Sequence, residues 1–241
     1  MRIVLVAALA AVVAGAAGAQ RDTRRPTVYA AASLTNAFPK IAPHARYSFA
    51  GSNALAAQIR QGAPADVFAS ANVKLPYGLY GDGFCSRPVA FTRNALVLIV
   101  PRANPAHLKR VADVRRKGVK VVIAAQSVPV GDYTVQVLRK LGLTGALKNV
   151  VSRETDVREV LAKVALDVAD AGFVYSTDAR TAPRKVRTLA IPPRGRPNIE
   201  YGICVVLAGH KAAGHAFVKR VLGKAGQQVL LRHGFLPRAK R

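Results

Sequence analysis

Apolar positions along the chain alternate between two rhythms. Short, nearly continuous apolar runs, the pattern of buried strands, occupy residues 27–32, 46–50, 67–70, 119–125, 171–175, 186–191 and 203–207. A longer run, 91–100, reads as one strand ended by Pro101. Between these lie stretches with apolar residues at helical spacing. Leu34, Phe38 and Ile41 share a face within 34–43, and Leu55, Ala56 and Ile59 within 54–61, which Gly62 closes. Residues 133–141, stopped by Gly142, and 157–166, 213–222 and 225–231 repeat the pattern. Strands alternating with helices predict an α/β fold with a largely parallel sheet.

The first residues do not fit this scheme. Arg2 is followed by an apolar, Ala-rich run over 3–17 and by Ala17-Gly18-Ala19, a small-x-small cleavage pattern that would leave Gln20 as the mature start. Residues 1–19 thus read as a secretory signal peptide, too short for a membrane anchor. The first cysteine is Cys85, so the expectation is a periplasmic protein without a lipid anchor. The 241-residue chain is 51% hydrophobic, enough for a sizeable core. Its two cysteines, Cys85 and Cys204, allow either one disulfide in an oxidising compartment or two buried thiols.

Charge narrows the function classes. Lys and Arg number 37 against 12 Asp and Glu, a formal +25, which favours anionic partners. The basic residues are dispersed, and the chain lacks Trp and any basic stripe interleaved with aromatics. Specific nucleic-acid binding is therefore not expected. The five histidines form no close-spaced metal motif, and no nucleophile elbow, P-loop or dinucleotide fingerprint occurs. A hydrolytic enzyme is the alternative of another class.

One local pattern does carry chemistry. Strand ends run through small residues into helix starts at Ala30-Ala-Ala-Ser33-Leu-Thr35, Ala50-Gly-Ser52-Asn53, Ala125-Gln-Ser-Val-Pro-Val130-Gly131 and Arg153-Glu-Thr-Asp156-Val157. The first turn of a helix has N–H groups without partners, and its dipole is positive there. Small residues let an anion approach that backbone. Several such junctions at the carboxyl edge of a sheet could hold an oxyanion without Lys or Arg.

These junctions, with the block Gln58-Ile-Arg-Gln-Gly-Ala-Pro-Ala-Asp-Val-Phe-Ala-Ser-Ala71, the run Phe91–Pro101, Val128-Pro-Val-Gly-Asp-Tyr133 and Gly172-Phe-Val-Tyr-Ser-Thr-Asp-Ala179, resemble the periplasmic molybdate-binding proteins of ABC uptake systems. The resemblance runs from about Val28 to Pro237. It implies a two-lobed periplasmic-binding-protein fold (type II), with lobe 1 over 26–88 and 202–237, lobe 2 over 89–201, crossing strands as the hinge and a basic tail at 238–241. It implies a monomer, no enzymatic activity, an ABC permease as partner, no cofactor, and molybdate or tungstate as ligand. The ligand contacts would be Ser33 and Ser52 in lobe 1 and Val130, Val157 and Tyr175 in lobe 2, the two valines through backbone N–H groups and Tyr175 through its phenol. The metal would be held through its oxygens and not by side-chain coordination. Cys85 precedes one inferred crossing strand and Cys204 lies in the returning one, which would place a bridge near the hinge. Val130 stands where the family usually has Ala, Asp132 where a basic or neutral residue is usual, and Asn53 where small residues are common. Sulfate and phosphate are the alternative oxyanions. Ferric iron is disfavoured because Tyr175 is the single well-placed phenol.

Overall fold

The computed structural model describes residues 25–239. Residues 1–19, where the signal peptide is expected, and the last residues of the basic tail lie outside them. Two five-stranded sheets form the two lobes. In lobe 1, β1 (Thr27–Ala31), α1 (Phe38–Ile41), β2 (Arg46–Ala50), α2 (Ser52–Arg60), β3 (Val67–Ser70), α3 (Lys74–Gly81) and β4 (Val89–Asn94) follow in order. Lobe 2 comprises β5 (Leu96–Pro101), β6 (Val121–Ala124), α4 (Pro129–Lys140), β7 (Val150–Glu154), α5 (Val157–Ala165), β8 (Ala171–Tyr175), α6 (Ser176–Ala179) and β9 (Val186–Ala190). The chain then returns to lobe 1 through β10 (Ile199–Val205), α7 (Lys211–Leu222) and α8 (Lys224–Arg232).

Each sheet is mixed. β1 pairs in parallel with β2 and β3, and β6 with β7 and β8, giving the parallel centres that the alternation predicts. The strands that cross between lobes run antiparallel: β10 pairs with β3 and β4, and β5 with β8 and β9. Period-based reading detects strands but not their direction, so the expectation of a largely parallel sheet holds only for the strands linked by helices.

Three sequence expectations change. The apolar run 91–100 is two strands, broken at Ala95. Asn94 is the last residue paired with β10, and Leu96 is already paired with Tyr175 on β8. The lobe boundary therefore falls at Ala95 and not at 88/89, and β10 joins lobe 1 from Ile199 and not from 202. The break is invisible in hydropathy because both halves are buried. The helix expected over 34–43 is reduced to α1, with a 3-10 turn at Ala32–Leu34 before it. Pro39 at the first turn and Pro43 confine it. Finally, α3 has no counterpart in the sequence reading because Pro76 and Gly78 mask it. Asn72 secures its start by accepting the Leu75 N–H at 3.0 Å.

Cys85 and Cys204 are bridged, with Cα atoms 5.9 Å apart. The bridge packs among Leu55, Ile59, Phe68, Leu79 and Val206 on the outer side of lobe 1. It therefore lies near the end of β10 remote from the crossing, and not at the hinge as expected. β10 is long enough that its hinge end, Ile199, and Cys204 belong to different surroundings. The cross-link joins residues 119 apart in sequence. The Cys85→Ala/Cys204→Ala double variant should lose about 2–4 kcal/mol of unfolding free energy in denaturant titration, since a long loop of the unfolded chain is freed. An unchanged midpoint would contradict this.

Candidate functional site

The carboxyl ends of β1, β2, β6, β7 and β8 converge on a cavity between the lobes. Its empty space, mouth included, is about 210 Å³. All five residues singled out from the sequence line it: Ser33, Ser52, Val130, Val157 and Tyr175. Small neighbours, Ala31, Ala32, Ala50, Gly51 and Ala71, leave the backbone within reach.

Local sequence explains each placement. Ser52 opens α2 directly after β2. Val130 follows Pro129 in the first turn of α4, where proline is pre-set for helix and needs no donor. Val157 is the first residue of α5, whose cap Asp156 accepts the Arg158 and Glu159 N–H groups at 2.6 and 3.1 Å. The first-turn N–H groups of Ser52, Val130 and Val157 thus face the cavity without intrahelical partners. Tyr175 is the last residue of β8.

Hydrogen-bond partners position the serine hydroxyls. Ser52 Oγ accepts the Ala71 N–H at 3.1 Å, leaving its own hydrogen to donate into the cavity. Ser33 Oγ lies 2.9 Å from the Tyr201 hydroxyl, which in turn accepts from Asn94 Nδ2 at 3.2 Å. Either hydroxyl of the Ser33–Tyr201 pair can donate, and the bond fixes the position of Ser33 Oγ at the cavity wall. The Tyr175 hydroxyl is buried beside Tyr201, and among the described residues no well-formed hydrogen bond engages it. Burial, aided by Tyr201, Tyr133 and Asp178, pushes its phenol far above the ordinary value, so it remains a neutral donor at any physiological pH. A buried hydroxyl left unpaired costs roughly 1–3 kcal/mol, so this phenol favours a bound acceptor.

The departures at 53 and 132 leave the cavity lining unchanged, whereas the cap residue Asp156 stands at its edge. Asp132 does not line it; its carboxyl is raised by partial burial, opposed by Lys74 across the lobe seam. Asn53 turns away to donate to Ser127 Oγ at 3.2 Å, a bond between lobes. Asp156 does line the cavity, with one carboxylate oxygen taking two helix N–H groups. Behind Tyr175, the fully buried Asp178 lies 2.6 Å from Arg158 Nε. Burial lifts its carboxyl to about 7 against the pull of that guanidinium. Among the described residues, no group of His, Cys, Asp or Glu could hold a metal ion directly.

Two residues of the site had no signal in the sequence. Tyr201 and Asn94 orient Ser33 and tie the crossing strands together, with Asn94 also bonding Ser176 Oγ, Thr177 Oγ1 and the Ala95 N–H. Tyr201 is 168 residues from Ser33, beyond any local pattern.

Comparison with known proteins agrees with this architecture. The family model of the bacterial extracellular solute-binding proteins matches residues 26–236. The molybdate-binding protein ModA of Mycobacterium tuberculosis is 35% identical over 230 residues, covering 91% of this chain and 87% of the relative. ModA of Escherichia coli is 33% identical over 246 residues, covering 95% of each. The solved Azotobacter vinelandii periplasmic molybdate-binding protein superposes with a TM-score of 0.76 at 24% identity, over 89% of this chain and all of the other. The sulfate-binding protein SubI of Mycobacterium tuberculosis shares the fold with a TM-score of 0.76 at 17% identity, over 88% of this chain and 86% of the other. The two-lobed fold, the cavity at the strand ends and the match across nearly the whole described chain lead to one conclusion: this chain belongs to the bacterial extracellular solute-binding proteins.

Proposed function

We propose that the chain captures a tetrahedral oxyanion, molybdate or tungstate, in the periplasm and delivers it to the permease of an ABC importer. The observation that carries this reading is the buried Tyr175 hydroxyl facing a cavity lined by serine hydroxyls and first-turn amides, with the Asp156 carboxylate at its edge engaged as a helix cap. A doubly charged oxyanion supplies acceptors to the Tyr175 and serine hydroxyls and to the first-turn amides. Neutral donors replace its water shell without a countercharge, so release on lobe opening stays affordable. A protonated phosphate would bring an O–H into a site dominated by donors and is disfavoured. The close similarity of molybdate and tungstate in size and charge makes both ligands. The molybdate-binding relatives support the choice among oxyanions.

The reading is of a binder, as the family of solute-binding proteins to which the chain belongs supports. Export rests on the signal peptide at 1–19, and delivery to a permease on the family. We take the protein to act as a monomer with no cofactor.

Calorimetry with molybdate, tungstate, sulfate and phosphate, on the wild type and on Tyr175→Phe, tests the proposal. Molybdate and tungstate should bind most tightly. Tyr175→Phe should weaken them about 10- to 100-fold, the worth of a hydrogen bond to a charged group. The ligand-free thermal midpoint should be unchanged or higher, because no well-formed bond within the protein is lost. Equal binding of all four anions, or full affinity in the variant, would refute the assignment.

A further inference from the structure

Beside the first cavity runs a second inter-lobe groove, lined by cations. It holds about 800 Å³ of empty space to its mouth, and Ser33 borders both. Lobe 1 contributes Lys40, Arg232 and His233, and lobe 2 contributes Arg158, Arg180 and Thr181. Among the described residues, no carboxylate lines it. Asp178, buried beneath, neutralises Arg158, which also donates to Asn36 Oδ1 of lobe 1 at 2.7 Å. Among the described residues, Lys40, Arg180 and Arg232 have no ion pair. Arg180 is held in place: its side chain lies flat on Gly234, where a Cβ would come within 2.8 Å of its Cδ and 3.0 Å of Nη1. Closing the lobes thus gathers like charges from both sides around one groove, an arrangement that opposes closure unless an anion occupies it.

We propose that this groove is a second anion site, for a compact polyanion of the pyrophosphate class, bridging Lys40 and Arg232 of lobe 1 to Arg180 of lobe 2. Guanidinium groups bind phosphate oxygens bidentately, and two linked phosphate groups offer oxygens to cations on both sides of the groove. An anion that joins the lobes binds the closed form better than the open one. It therefore raises the affinity of the first cavity for its ligand, and that ligand raises the affinity of the groove by the same factor. The inference stands apart from the identity of the ligand in the first cavity.

Titration calorimetry with pyrophosphate tests it, on ligand-free and on molybdate-saturated protein. One pyrophosphate should bind in both cases, more tightly when molybdate is present, and orthophosphate should bind more weakly. Lys40→Ala/Arg180→Ala should weaken pyrophosphate by at least about tenfold, through loss of charge-assisted bonds. Arg115→Ala/Arg187→Ala removes the same charge from exposed sites elsewhere and should leave binding unchanged. The proposal is overturned if pyrophosphate fails to bind the wild type, if it only competes with molybdate, or if both double variants weaken it equally, which would mean diffuse attraction to a basic surface. Should molybdate itself fail to bind, the ligand-free titration still decides the matter, and the failure belongs to the reading of the first cavity.

Discussion

Ser52→Asp should abolish the rise in thermal midpoint that molybdate gives the wild type. Ser52 is buried at the start of α2, with Oγ accepting the Ala71 N–H. An aspartate there keeps an acceptor for Ala71, and an acid in the first turn suits the helix dipole, so the lobe should fold. What changes is the cavity: a donor is replaced by a fixed negative charge. At about 4 Å and an effective dielectric near 20, each unit pair of like charges costs roughly 4 kcal/mol, enough to lower affinity about a thousandfold. Ser52→Ala separates charge from lost bonding, and should cost only about 1.5–3 kcal/mol of binding. Differential scanning fluorimetry across a molybdate series reads both. A full shift in the aspartate variant would place the anion elsewhere, on surface arginines for instance.

Gly51→Ala should weaken the ligand about a hundredfold by a different route, through the closed population. Gly51 has an ordinary backbone conformation, φ −57° and ψ 133°, so alanine suits lobe 1 by itself. In the closed form, however, the added Cβ would lie 2.3 Å from the carbonyl oxygen of Thr155 in lobe 2. That contact is with backbone at the entry to α5, which cannot swing aside. The lobes would stop short, leaving the first-turn amide of Val157 too far from an anion held by Ser52. Calorimetry should show the loss, with an unchanged ligand-free midpoint. Small-angle scattering should find the ligand-saturated variant more open than the wild type. Full affinity in Gly51→Ala would mean that the lobes bind without meeting this closely.

The Val130 substitution acts in the same cavity but more gently. Val130 lines the cavity, and its side chain bounds the 210 Å³ of empty space. The local features at 33, 52, 130, 157 and 175 were legible because each is a junction written in consecutive residues: a strand end, a small residue, a helix start. Hydropathy also placed most of the strands and helices, since burial on one face or two leaves a periodic trace. It missed α3, where Pro76 and Gly78 blur the period, and the change of sheet at Ala95, where both flanking strands are buried.

The alternation of elements, the uncharged strand-to-helix junctions and the excess of basic residues are all properties of neighbours along the chain, and they determine the α/β architecture and the kind of chemistry on offer. Only the tertiary structure decided which junctions meet, that Tyr201 and Asn94 hold Ser33 in place, that Cys85 and Cys204 join away from the hinge, and that scattered cations such as Lys40, Arg180 and Arg232 line one groove. The physical reason is range. Helix and strand formation are settled by hydrogen bonds and burial over a few residues, whereas a binding site is made where segments more than a hundred residues apart are brought together by packing two lobes around crossing strands.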